Sequence, residues 1–196
     1  MLVCLDRDGT INKDEDYYLG SADNWKEQIE FLPGVVQGIQ LLNTIARVVI
    51  ITNQSGVALG RFDERRMHEV NTYIIDLLER QGAHIDTYVA CPYVDHEYAA
   101  TRKVDRHYVA NHPDIKPRTG MINKVAKPHE DIYVIGDRLS DIQLAHNAGG
   151  IGILVPGFKT GNDIEQVKTM PNVYIADTFV KAAQFIVGQS RSAGDT

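Results

Sequence analysis

Cysteine is scarce in this chain, with two residues in 196, Cys4 and Cys91. Two thiols make no disulfide framework, and a thiolate-rich zinc site is excluded by composition. The expectation is a reduced, cytoplasmic protein. Long apolar runs are missing too. The longest, such as Val48-Val49-Ile50-Ile51, fall far short of a bilayer's thickness, so no membrane partner is expected. No cationic stretch or cleavage site precedes the first apolar segment, and no secretory leader is expected. There is no basic excess. Lys and Arg total 20 against 26 Asp and Glu, for a net charge of −6. That gives no general footprint for nucleic acid or anionic lipid, so nucleic acid is not an expected partner. Repeats, linkers and low-complexity blocks are also absent. What remains is an ordinary globular composition, 43% hydrophobic and 23% charged. The length suits one buried α/β domain over residues 1–189, with a frayed tail over 190–196. It says nothing about oligomeric state.

Apolar runs alternate with helical periodicity. Leu2–Leu5 reads as a buried strand, followed by an irregular loop over residues 11–29. Pro33-Gly34 opens a helix carrying Val35, Ile39, Leu42 and Ile45 on one face. Residues 47–51 are β-branched and read as a strand. Asp63 is placed to cap a helix with Met67, Val70, Ile74, Leu77 and Leu78 inward, ending at Gly82. Further strands are expected at 87–90, 132–135, 151–155 and 173–175. Helices are expected near 121–125, 140–148 and 179–187. Between Cys91 and Pro117 lies a long polar excursion, read as a functional loop. Strand–helix alternation predicts a Rossmann-like parallel sheet with helices on both faces.

In such sheets ligands bind beyond the carboxyl ends of the strands. The polar motifs fall there. Asp6 and Asp8 follow the first strand, Thr52-Asn53-Gln54-Ser55-Gly56 the second, and Gly136-Asp137-Arg138 the strand ending at Ile135. Lys116 precedes a helix. A carboxylate can attack phosphorus, dividing a hard hydrolysis into two steps. Asp6, nearest its strand end, is the candidate nucleophile. Asp8, two residues on, is the candidate acid/base. Clustered carboxylates repel each other and a phosphate, so a hard cation is required, and Mg²⁺ suits an oxygen-only site. Asp137 supplies a further acidic ligand. Asp141 is either a ligand, a group behind the ligands, or a helix-start carboxylate favoured by the dipole. The Thr52 hydroxyl and the Asn53 N–H are candidate phosphate contacts, and Lys116 a candidate charge neutraliser.

Asp6-Arg7-Asp8-Gly9-Thr10, Thr52-Asn53-Gln54-Ser55-Gly56, Lys116-Pro117 and Gly136-Asp137-Arg138-Leu139-Ser140-Asp141 resemble, in order, the four motifs of the haloacid dehalogenase (HAD) superfamily. Together with Gly60-Arg61-Phe62 and the Gly120-Met121 pair, they resemble its heptose-bisphosphate and histidinol-phosphate phosphatase group. The resemblance implies an aspartyl-phosphate mechanism, with Mg²⁺ held by Asp6, the Asp8 carbonyl and Asp137. It also implies that an acid at position 8 marks a phosphatase. Arg61 and Arg138 become candidate substrate contacts. Too little chain lies between motifs for a separate cap domain, so only the 11–29 loop and the 91–115 excursion are left to cover the site.

The departures matter as much. The resembled group carries a Cys-x-His with a later Cys-x-Cys before Lys-Pro. Here Tyr93 takes the His place, no later cysteine exists, and Ile115 replaces an Arg. Cys91, His96, His107 and His112 are read as loop residues rather than a zinc set, and zinc is not expected. Tyr17, Tyr18 and Trp25 either line the entrance or pack the loop onto the body. The substrate expected is a small soluble phosphate ester, with a heptose-type sugar phosphate or bisphosphate first and histidinol phosphate second. A 3′-phosphorylated nucleic-acid end, or a non-catalytic phosphate-binding module, are the remaining alternatives.

Overall fold

Six parallel strands form one sheet in the order β3-β2-β1-β4-β5-β6, as shown by a computed structural model describing residues 1–14 and 18–194. The strands are β1 (Leu2–Leu5), β2 (Arg47–Asn53), β3 (Thr87–Cys91), β4 (Ile132–Gly136), β5 (Ile151–Leu154) and β6 (Val173–Ile175). Between them run α1 (Val35–Leu42), α2 (Ser55–Ala58), α3 (Glu64–Glu79), α4 (His96–Ala100), α5 (Gly120–Asn123), α6 (Leu139–Asn147) and α7 (Asp163–Val167). The chain closes with α8 (Phe179–Gly194).

Burial on both faces explains the unbroken apolar strands. Side chains of Val3, Leu5, Val48, Ile50 and Ile135 join one core with α1, α3 and α8. Their neighbours Leu2, Cys4, Val49, Ile51 and Val134 face the other way, against α5 and α6. The predicted cap of α3 is present, since the Arg66 N–H donates to Asp63 Oδ1 at 2.8 Å. Met67, Val70, Ile74 and Leu78 are buried, and Gly82 follows the helix in the left-handed region at φ +75°.

Several boundaries differ from the sequence expectation. Helix α1 stops at Leu42, so Ile45 lies past its end. Strand β2 runs two residues further, because pairing with β3 continues to Asn53–Cys91. Helix α7 had no clear apolar period and only Val167 of it is buried. Helix α8 continues through Gly194, so the segment from Ser190 expected to fray is largely helical. Tyr17 lies outside the described residues. Trp25 is buried, edge-on to Tyr73 at 5.5 Å, which is the packing role of the two foreseen.

Strand β1 is central. The chain builds β2 and β3 on one side, then crosses to build β4 to β6 on the other. A crevice opens at the carboxyl ends of β1 and β4, where the order reverses. That crevice is the candidate site. No helix among the described residues is long and apolar enough to cross a membrane.

Candidate active site

Asp6 is the first residue past β1, and its N–H still donates to the Ile135 carbonyl of β4 at 2.9 Å. The sheet therefore aims its carboxylate. Lys116 reaches it from the end of the excursion, with Nζ 2.6 Å from Asp6 Oδ1 and 2.8 Å from Asp141 Oδ1. All three side chains are buried. Burial pulls the lysine pKa down, but the Asp141 and Asp6 charges outweigh it and leave Lys116 raised. Asn53 holds this lysine through its main chain, its Oδ1 accepting from the Lys116 N–H at 3.2 Å.

Asp137 follows β4 and is wholly buried, yet neither carboxylate oxygen has a hydrogen-bond partner among the described residues. An orphaned buried carboxylate is costly unless it coordinates a cation. Oxygens of Asp6, Asp137 and Asp141 all lie within 4.8 Å of one another, a spacing six-coordinate Mg²⁺ can bridge. This donor set, oxygen only, fits a hard divalent ion. Without one, burial first, then neighbouring carboxylates, push Asp137 up to about 8. Asp6 is pushed to about 7, with burial again the main cause and Lys116 opposing it.

Glycines make this crowding possible. Gly9 sits at φ +89°, and a Cβ there would fall 2.5 Å from Asp137 Oδ2. At Gly136 a Cβ would collide with the Asp141 carboxylate at 2.3–2.4 Å. Asp141 itself starts α6, its Oδ2 accepting from the Arg138 N–H at 3.2 Å. Thr160 seals Asp137 from the far side by donating to its carbonyl at 2.6 Å.

Asp8 is held differently. Arg7 Nε and Nη2 fork onto its two oxygens at 3.0 and 2.6 Å, while Gln54 and Asn12 amides donate at 2.8 and 3.1 Å. Burial pushes this carboxyl up, but Arg7, Gln54 and Asn12 reverse the effect and lower its pKa. Its carboxylate therefore stands apart from the Asp6–Asp137–Asp141 cluster. The role expected of Asp8 toward Mg²⁺ is through its main-chain carbonyl, and Asp141 is the third carboxylate of the cluster. The same Gln54 amide reaches Thr52 Oγ1 at 2.8 Å, tying the Thr52 and Asp8 side chains together.

A cavity of about 620 Å³ opens over these groups. Of the residues singled out from sequence, Asp6, Asp8, Thr52, Asn53, Lys116 and Arg138 line it. Arg61 does not. Its guanidinium lies outside the lining, 6.0 Å from the Tyr18 ring centroid. Gln54, Asp14, Lys159 and Arg102 were given no role from sequence. Asp14 accepts from Lys159 at 2.6 Å and Arg138 at 3.3 Å, contacts 145 and 124 residues apart that no local pattern encodes. Gln54 carried one signal, its place inside the second motif. Cys91, His96, His107 and His112 form no cluster. Cys91 is buried with its thiol raised to about 11 mainly by burial, and His112 stacks on Tyr93 at 4.4 Å.

The arrangement matches known proteins. Residues 115–182 match the model of the HAD-hydrolase-like family. The D-glycero-beta-D-manno-heptose-1,7-bisphosphate 7-phosphatase of Rhodopseudomonas palustris is 39% identical over 168 residues, covering 82% of this chain and 84% of that protein. Its namesake from Bordetella bronchiseptica is 32% identical over 82% of each. Among solved structures, D,D-heptose 1,7-bisphosphate phosphatase from B. bronchiseptica, complexed with magnesium and phosphate, superposes with a TM-score of 0.77. It is 25% identical and covers 96% of this chain and 98% of that one. The chain belongs to the HAD-like hydrolases, and within them it is a phosphatase.

Proposed function

We propose that this phosphatase removes the 7-phosphate from a D-glycero-D-manno-heptose 1,7-bisphosphate, with Mg²⁺ as cofactor and Asp6 as nucleophile. The observation that carries the reading is the convergence of Asp6, Asp8 and Lys116 on one cavity, with the unpartnered Asp137 carboxylate clustered behind Asp6, in a chain 39% identical to a relative named for that substrate.

Phosphate enters with its oxygens toward Lys116, whose charge is fixed beside Asp6 by Asp141. An Asp6 oxygen attacks phosphorus and the sugar oxygen departs, leaving phosphoryl on Asp6. Lys116 counters the charge that builds on the transferring group. Asp6 and Asp137, with the Asp8 carbonyl and Asp141 beside them, would hold Mg²⁺, which would supply the positive charge that lets a carboxylate approach a phosphate dianion.

Asp8 faces the cavity and completes both steps. An arriving phosphate is a like charge, which raises the Asp8 pKa and lets it carry the proton for the departing sugar oxygen. Once the sugar has left, the Arg7 fork favours the carboxylate, and Asp8 takes a proton from the water attacking phospho-Asp6. Gln54 and Asn12 keep it aimed throughout.

The test is phosphate release from heptose 1,7-bisphosphate with and without Mg²⁺, with the product identified by phosphorus NMR. Heptose 1-phosphate as the Mg²⁺-dependent product supports the reading. Release of the 1-phosphate instead, or faster turnover of histidinol phosphate, overturns it.

A further inference from the structure

One wall of the cavity is built by the excursion between β3 and Lys116, through Tyr93, Tyr98, Arg102 and Ile115. Ile115 offers no charge beside Lys116. Of the cations lining the cavity, Lys116 is paired with Asp6 and Asp141, while Arg138 and Lys159 share Asp14. Arg102 differs. Among the described residues it has no carboxylate partner; it donates to Thr101 Oγ1 at 3.0 Å and lies 4.0 Å from the Tyr98 ring centroid.

Stacking holds the flat face of a guanidinium and leaves its edge free to fork onto phosphate oxygens. The platform is itself fixed. The Tyr98 N–H donates to Asp95 Oδ1 at 2.8 Å, capping α4, and Tyr98 shares the cavity wall with Tyr18 of the opposite loop. A second phosphate needs a counter-charge not already spent. We infer that Arg102, stacked on Tyr98, grips the phosphate that is not cleaved and so gives this site its preference for a bisphosphate. This inference rests on the bisphosphate reading above. It places the remote anion contact on the excursion, since Ile115 offers none beside Lys116.

The probes are glucose 1,6-bisphosphate and glucose 6-phosphate, which differ only by a remote phosphate, as inhibitors of p-nitrophenyl phosphate hydrolysis. In wild-type protein the bisphosphate binds more tightly. Arg102→Ala lowers the ratio of the two inhibition constants by about tenfold, the scale of one charge-assisted hydrogen bond, and Arg102→Lys restores part of it. A ratio unchanged in Arg102→Ala, or equal weakening of both sugars, overturns the assignment and leaves Arg102 an ordinary surface cation. Failure to hydrolyse heptose 1,7-bisphosphate would remove the substrate reading alone, since the inhibitor pair still reports on Arg102.

Discussion

Arg7 grips both carboxylate oxygens of Asp8, its immediate neighbour, from a position that is itself almost fully buried and anchored to Asn71 at 3.0 Å. The residue between the two motif aspartates thus sets the ionisation of the second. Because Arg7 lowers the Asp8 pKa, weakening the fork raises it. In Arg7→Lys, which keeps charge but loses the bidentate geometry, the acidic limb of the rate of phospho-enzyme hydrolysis moves to higher pH. A pH–rate profile measured in single turnover checks this, alongside a thermal melt to confirm folding.

Gly9 packs against the Asp137 carboxylate at a positive φ. A methyl group there must displace Asp137 and hold a positive φ, a strain of about 1–3 kcal/mol. Gly9→Ala is expected to lose that much stability and to bind Mg²⁺ far more weakly, read by denaturant unfolding and by calorimetric titration. The same change at Gly60, also at positive φ but with open space around it, should leave Mg²⁺ affinity untouched.

Lys116 is buried between two acids, so removing it strands their charges. Lys116→Met should destabilise the metal-free protein by about 3–5 kcal/mol at neutral pH. Turnover should fall on the order of 10²–10³-fold, as for loss of a preorganised transition-state contact. Added Mg²⁺ should recover much of the stability and little of the rate, which separates the two roles of this lysine.

The raised carboxyls give stability a definite pH slope. Asp6 and Asp137, at about 7 and about 8, hold protons in the folded state that an unfolded chain releases near pH 4. Their contribution to metal-free stability is therefore greatest at the acid end and is lost as pH rises from about 4 to about 8. Mg²⁺ competes with those protons, so its stabilising shift should grow across the same span. Melting temperatures with and without Mg²⁺ from pH 5 to 9 measure both trends. A Mg²⁺ shift independent of pH would contradict them.

Much of this site was readable before any fold was known, and the reasons are local. Asp6 and Asp137 follow continuous apolar strands and Thr52 stands at the end of one, and strand ends in a parallel sheet converge on one edge. What was unreadable depends on contacts between distant loops. Asp14 meets Lys159 and Arg138 only once the sheet has folded, and Arg102 enters the cavity because the excursion packs there, its Asp105 N–H donating to Ala58 at 2.8 Å. Arg61, a candidate substrate contact from its motif place, lies in the turn after α2 with its guanidinium 6.0 Å from the Tyr18 ring centroid. Asp141 was ambiguous because a helix-start acid and a cluster acid look alike in sequence, and here one carboxylate is both.

The most direct measurement is chemical trapping of phosphate on Asp6. Wild-type protein is mixed with substrate and Mg²⁺, quenched in acid within one turnover, and reduced with borohydride, which converts an acyl phosphate to the alcohol. Peptide mass spectrometry should place that reduction at residue 6 in wild type and nowhere in Asp6→Asn, which should also release no phosphate. Phosphate release by Asp6→Asn near the wild-type rate, or a trapped adduct on any other residue, would contradict Asp6 as the nucleophile.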